Sequence, residues 1–64
     1  MPPRDWLLRI EDILDAIGRI EDYTVGLDLP AFKQDGRTRD AVVWNLAVIG
    51  EAARLVPREI EALL

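Results

Sequence analysis

The stretch Thr38-Arg39-Asp40-Ala41-Val42-Val43-Trp44-Asn45-Leu46-Ala47-Val48-Ile49-Gly50-Glu51-Ala52-Ala53-Arg54-Leu55 decides the fold class of this chain. Two apolar stripes run along it at helical spacing. One is Val42, Leu46, Ile49, Ala53 and, just beyond, Val56; the other is Ala41, Trp44, Val48, Ala52 and Leu55. On a wheel of 3.6 residues per turn the stripes lie about 120° apart. A helix apolar over so wide an arc needs two neighbours to cover it. Asn45 falls between the stripes and is predicted to be buried, where an amide without partners is costly.

Upstream, a second amphipathic pattern runs from about Pro3 to Tyr23. Trp6, Ile10, Ile13, Ile17 and Ile20 recur at spacings of four and three, with Leu7 and Leu14 widening the stripe. Glu11, Asp15 and Asp22 occupy the opposite face, and Asp5–Arg9 and Asp15–Arg19 are spaced for ion pairs along the helix. The prolines at the start suit a first helical turn, and Gly18 lies on the polar side. Between the two helices, Thr24-Val25-Gly26-Leu27 reads as a stop and turn. Asp28 caps a short helical turn through Phe32, and Asp35-Gly36 breaks the chain again. Leu29 and Phe32 are expected to fold as a lid over the end of the core. Pro57 is expected to end the second long helix and open a last short one, Arg58 to Leu64.

These elements predict an all-α fold: an antiparallel helical hairpin, or partial helix bundle, completed by oligomerisation, with residues 1–64 forming one domain. Small chains bury a modest fraction of their surface and commonly need a disulfide, a metal or a partner subunit. The sequence has no cysteine and no histidine, which rules out a disulfide and disfavours structural zinc. Half of the residues are hydrophobic, so association into a homodimer or higher oligomer is the expected route. The interface residues singled out are Trp44, Asn45, Val48, Ile49, Ala52, Leu55 and Val56.

Composition also narrows function. Eight basic residues against twelve acidic ones give a net charge of −4, a poor match to phosphate backbones, so RNA is disfavoured as a partner of this chain alone. No apolar run reaches the ~20 residues of a membrane span, and no hydrophobic signal core follows Met1, so a cytoplasmic location is expected. Neither a phosphate-binding glycine loop nor a catalytic triad nor metal-ligand spacing is present; no catalytic residue, cofactor or metal is assigned. Glu11, Asp15 and Asp22 could hold a hard cation but read more simply as a solvated face. Asn45 reads as a register or pairing device, with a chemical role as the alternative. Gly50, Ala52 and Ala53 read as a close-packing surface, and Glu51 as a partner for Arg54. Arg37 and Arg39 oppose the macrodipole at a helix start; pairing with Asp35 and Asp40 accounts for them, a phosphate contact being the alternative.

The string Arg37-Thr38-Arg39-Asp40-Ala41-Val42-Val43-Trp44-Asn45-Leu46-Ala47-Val48-Ile49-Gly50-Glu51-Ala52-Ala53, with Pro57 soon after, resembles the most recognisable stretch of the HepT-like toxin ribonucleases. Asp5-Trp6-Leu7-Leu8-Arg9-Ile10-Glu11-Asp12-Ile13-Leu14 is similar to the opening helix of that family. The resemblance implies an all-helical, antiparallel, usually homodimeric protein of a toxin–antitoxin system. It also implies a minimal nucleotidyltransferase antitoxin (MntA type) that silences the toxin by adding AMP to a tyrosine. The family's catalytic motif, an Arg followed after a few residues by a His and then a Tyr, belongs to a later helix. This sequence has no His, and its one tyrosine, Tyr23, does not match the modified position. The expectation is a truncated HepT-like protein, without ribonuclease activity of its own, acting through helix-mediated oligomerisation. The alternatives are an interaction module that binds a nucleotidyltransferase or a full-length toxin subunit and, more weakly, an active RNA endonuclease using Arg37 and Arg39 with acids.

Overall fold

Three helices account for most of residues 5–63, which the computed structural model describes: α1 (Asp5–Thr24), α2 (Leu29–Gln34) and α3 (Gly36–Glu61). The prolines at positions 2 and 3 lie outside the described residues. α1 and α3 pack side by side as an antiparallel hairpin 47 Å long and about 15 Å in its other dimensions, and α2 rests on the connected end of α3.

Local chemistry fixes that connected end. At the close of α1 the Thr24 hydroxyl donates to the Ile20 carbonyl at 2.8 Å, occupying an oxygen of the last turn. The Leu27 N–H then donates to the Thr24 carbonyl at 3.0 Å, closing a turn in which Gly26 sits at φ +77°. Only glycine takes that backbone region without a steric cost. Asp28 caps α2 by accepting the Ala31 N–H at 2.9 Å, and Pro30 stands in the first turn, where it needs no hydrogen bond. Phe32 folds inward and is half-buried, whereas Leu29 is 63% exposed. The lid is therefore Phe32 alone: together with Leu27 and Val42 it lines the small cleft under α2, and Leu29 stays at its solvent edge.

The α1–α3 contact runs between the two stripes of α3 rather than along either. Val42, Asn45 and Ala52 are buried, and Ile49 and Val56 are half-buried. On α1 the innermost line is Arg9, Ile13, Ala16 and Ile20, with Ala16 fully buried. The expected stripe was centred too far to one side. Ile17, Leu7 and Leu14 are 42%, 42% and 61% exposed and form its flank.

α3 continues through Pro57 to Glu61 rather than stopping there. Pro57 is exposed, and so is Ala53, whose carbonyl loses its usual donor because proline has no N–H. Half-buried Val56 and Glu59 on either side keep the helix on α1. The Arg9 guanidinium donates to Glu59 at 2.9 Å across the hairpin, in place of the Asp5 pairing expected along α1. Asp15 and Arg19 form no ion pair among the described residues.

Candidate functional site

A cleft and an apolar face flank the α1–α3 seam, one on each side. The cleft lies toward the stripe of Trp44, Val48 and Leu55. Its floor is apolar, and its rim carries Arg9 and Asp12 from α1 and Glu51 from α3. It encloses about 310 Å³. Trp44 is 70% exposed at its edge, while Val48 and Leu55 are half-buried. Arg54 donates to Glu51 at 2.6 Å. That hydrogen bond, and then the charge of Arg54, hold the Glu51 carboxyl below its ordinary pKa, and Arg9 adds a smaller pull in the same direction. At the end of the cleft the Glu59 hydrogen bond, then its charge, raise the Arg9 pKa, with Asp5 and Asp12 contributing. The second carboxylate oxygen of Glu59 is buried and has no hydrogen-bond partner.

Across the seam, Leu7, Leu14 and Ile17 of α1 stand beside Leu46, Ala53 and Ile60 of α3. The helical wheel turns both groups to the same side of the hairpin. Leu46 is 54% and Ile60 38% exposed. This face carries large apolar side chains from both helices that nothing among the described residues covers.

The residues singled out from the sequence separate between these surfaces. Asn45 and Ala52 are buried at the seam, Ile49 and Val56 border it, and Trp44, Val48 and Leu55 line the cleft. The Asn45 Nδ2 donates to the Ala41 carbonyl at 2.8 Å, so its donor is turned back on its own helix. Gly50 faces open space, with nothing within 4 Å of the point a Cβ would occupy, and Ala53 is exposed; within the hairpin the close-packing role belongs to Ala52 alone. Its counterpart Ala16 was not singled out, because alanine carries little hydrophobic signal and sits beside a louder run of isoleucines.

Arg37 and Arg39 are exposed at the start of α3. Asp35 is already engaged there: its carboxylate accepts the Thr38 N–H at 3.0 Å and the Thr38 hydroxyl at 2.7 Å. Those two bonds, hydroxyl first, lower the Asp35 pKa, and Arg37 adds a weaker pull. Neither arginine forms an ion pair with Asp35 or Asp40 among the described residues. Glu11, Asp15 and Asp22 are exposed, and no group of three or more metal-ligating side chains is clustered among the described residues. No helix among them is long and apolar enough to cross a membrane.

Comparison with known proteins finds relatives over most of the chain. The chain is 36% identical over 59 residues to a putative RNase of Methanocaldococcus jannaschii, an alignment covering 92% of this chain and 49% of that protein. It is 37% identical over 54 residues to a probable ribonuclease HepT of Thermococcus cleftensis, covering 84% of this chain and 49% of that one. The chain thus spans about half the length of the curated relatives it matches. No solved structure matches it. The sequence profile described as Ribonuclease HepT-like matches residues 13–63, most of α1 and all of α2 and α3, and the chain belongs to the HepT-like ribonuclease family.

Proposed function

We propose that these 64 residues are a helical scaffold of a HepT-like toxin of a cytoplasmic toxin–antitoxin system, one that works by associating through its apolar face and does not cleave RNA by itself. One observation carries this reading. Among the described residues no large apolar side chain is fully buried, and the buried residues are Ala16, Val42, Asn45 and Ala52. Meanwhile Leu7, Leu14, Ile17 and Leu46 stand exposed on one side. Burial at ~25 cal/mol per Å² gives those side chains a strong reason to find a second apolar surface. A second copy of the chain supplies one, and a homodimer is the smallest assembly that covers both.

The chemical half of the proposal rests on the absence of histidine from the sequence. Metal-independent RNA cleavage draws on a general acid or base that titrates near neutral pH, most often an imidazole. Family membership makes a minimal nucleotidyltransferase antitoxin the proposed partner of the whole protein. Light scattering on the purified chain, with a ribonuclease assay on the same sample, tests both halves. The expected result is a dimer or larger species without RNA turnover. A stable monomer overturns the assembly, and turnover that persists through repeated purification overturns the inert scaffold.

A further inference from the structure

The Trp44 cleft is on the opposite side of the seam from the apolar face, and its chemistry differs. The apolar face is made mainly of leucine, isoleucine and alanine side chains. The cleft combines an apolar floor with an exposed indole and an excess of carboxylates. Its lining carries Asp12 and Glu51 against Arg9, two carboxylates against one guanidinium. Arg9 is committed to Glu59 at 2.9 Å, and Glu51 to Arg54 at 2.6 Å. Asp12 is left at the rim without an ion-pair partner among the described residues. Glu59 also retains an oxygen to which nothing donates.

We propose that this cleft docks a basic amphipathic helix of another protein, with one Arg or Lys lying over Trp44, a second farther along the helix toward Asp12, and apolar side chains seated on Val48 and Leu55 between them. Three features select that occupant. The face of an indole attracts cations, and arginine most often. The unpaired Asp12 at the rim and the net charge of −4 favour a positive partner and oppose RNA or an anionic membrane surface. The cleft is open along its length and holds a few side chains, which suits the anchors of a helix laid across it.

The test is calorimetric titration of the 64-residue chain with a synthetic leucine–arginine helical peptide, alongside a twin carrying Glu in place of each Arg. The basic peptide is expected to bind once per chain, more weakly as salt rises, and its twin not to bind. Trp44→Ala and Asp12→Asn are each expected to weaken binding by about tenfold. Leu14→Gln, on the opposite face, is expected to leave it unchanged. Both cleft substitutions are at exposed positions, and an unchanged helical circular dichroism signal confirms that the hairpin survives them. Equal binding by the acidic twin overturns the proposal. So does binding indifferent to both cleft substitutions, no binding at all, or self-association that itself shields Trp44 from an aqueous quencher. The oligomer proposed above is tested through Leu14 and Leu46, so either idea can fail while the other stands.

Discussion

Asp35 serves two helices at once. Its backbone N–H donates to the Ala31 and Phe32 carbonyls at the end of α2, and its carboxylate caps the start of α3 through Thr38. The carboxyl pKa is lowered in the folded chain, first by the Thr38 hydroxyl and then by the Thr38 N–H. Since the folded pKa lies below the unfolded one, the stabilisation is complete above the ordinary carboxylate range and fades as pH falls through the lowered value. Thermal melts are expected to show Asp35→Ala destabilised at neutral pH, with the gap from the parent closing toward acid. A gap that does not change with pH would mean that the charge of the cap contributes nothing. Gly50 makes the contrasting case. It is helical, exposed and faces open space, so Gly50→Ala is expected to stabilise the isolated hairpin by about 1 kcal/mol, read by denaturant melts. A loss instead would mean that an associated chain packs against that glycine. Some of this was legible in the sequence. Asn45 could be placed inside because it falls between two apolar stripes. The emptiness beside Gly50 could not, because a small residue reads identically whether a neighbour crowds it or nothing does.

Among the elements, α3 departs furthest from its sequence reading. A proline generally ends a helix because it lacks an N–H and crowds the carbonyl four residues back. Here the crowded carbonyl belongs to exposed Ala53, and the residues beyond Pro57 are held by Glu59 on Arg9. Tertiary contact overrides the local signal. Pro57→Ala is expected to stabilise the hairpin, by up to about 3 kcal/mol if the full helix-interior penalty applies, and so to raise the midpoint of thermal unfolding. A lower midpoint would show that the proline fits a bend the hairpin needs. The α1 stripe was legible as a helix but not in its rotation. Isoleucines dominated the pattern, whereas the fully buried residue of α1 is Ala16. Seven residues from Arg9 along α1 and seven back from Glu59 along α3 lead to Ala16 and Ala52, so an antiparallel register sets two alanines level. Small side chains permit such an approach, and the larger ones are turned outward beside it.

At the scale of the molecule, a two-helix hairpin is one layer, and one layer cannot enclose a core. The sequence showed this shortage as an arc of α3 too broad for a single neighbour. It did not show which part of the arc α1 would take, because that depends on how the two helices rotate against each other. α1 takes the middle, which leaves an apolar flank on one side and the Trp44 cleft on the other. Leu14 and Leu46 are 61% and 54% exposed, so replacing either removes little from within the chain. Leu14→Gln combined with Leu46→Gln is expected to raise the dissociation constant of the assembly by tenfold or more, on the order of 1.4 kcal/mol per factor of ten, while helix content is kept. Unchanged particle mass under light scattering would place the interface elsewhere.

The Arg9–Glu59 clasp joins positions fifty apart in the chain, at the mouth of the hairpin farthest from the connector. Bringing such distant segments together is entropically easiest after the nearer ones have met. Closure therefore begins beside Thr24 and Val42 and travels outward like a zip, with the clasp the last tooth to engage. Amide exchange with deuterated solvent should register this as a gradient, slowest near the turn and fastest where Trp6 and Ile60 flank the mouth. Whatever settles across that mouth gains the most by slowing its opening.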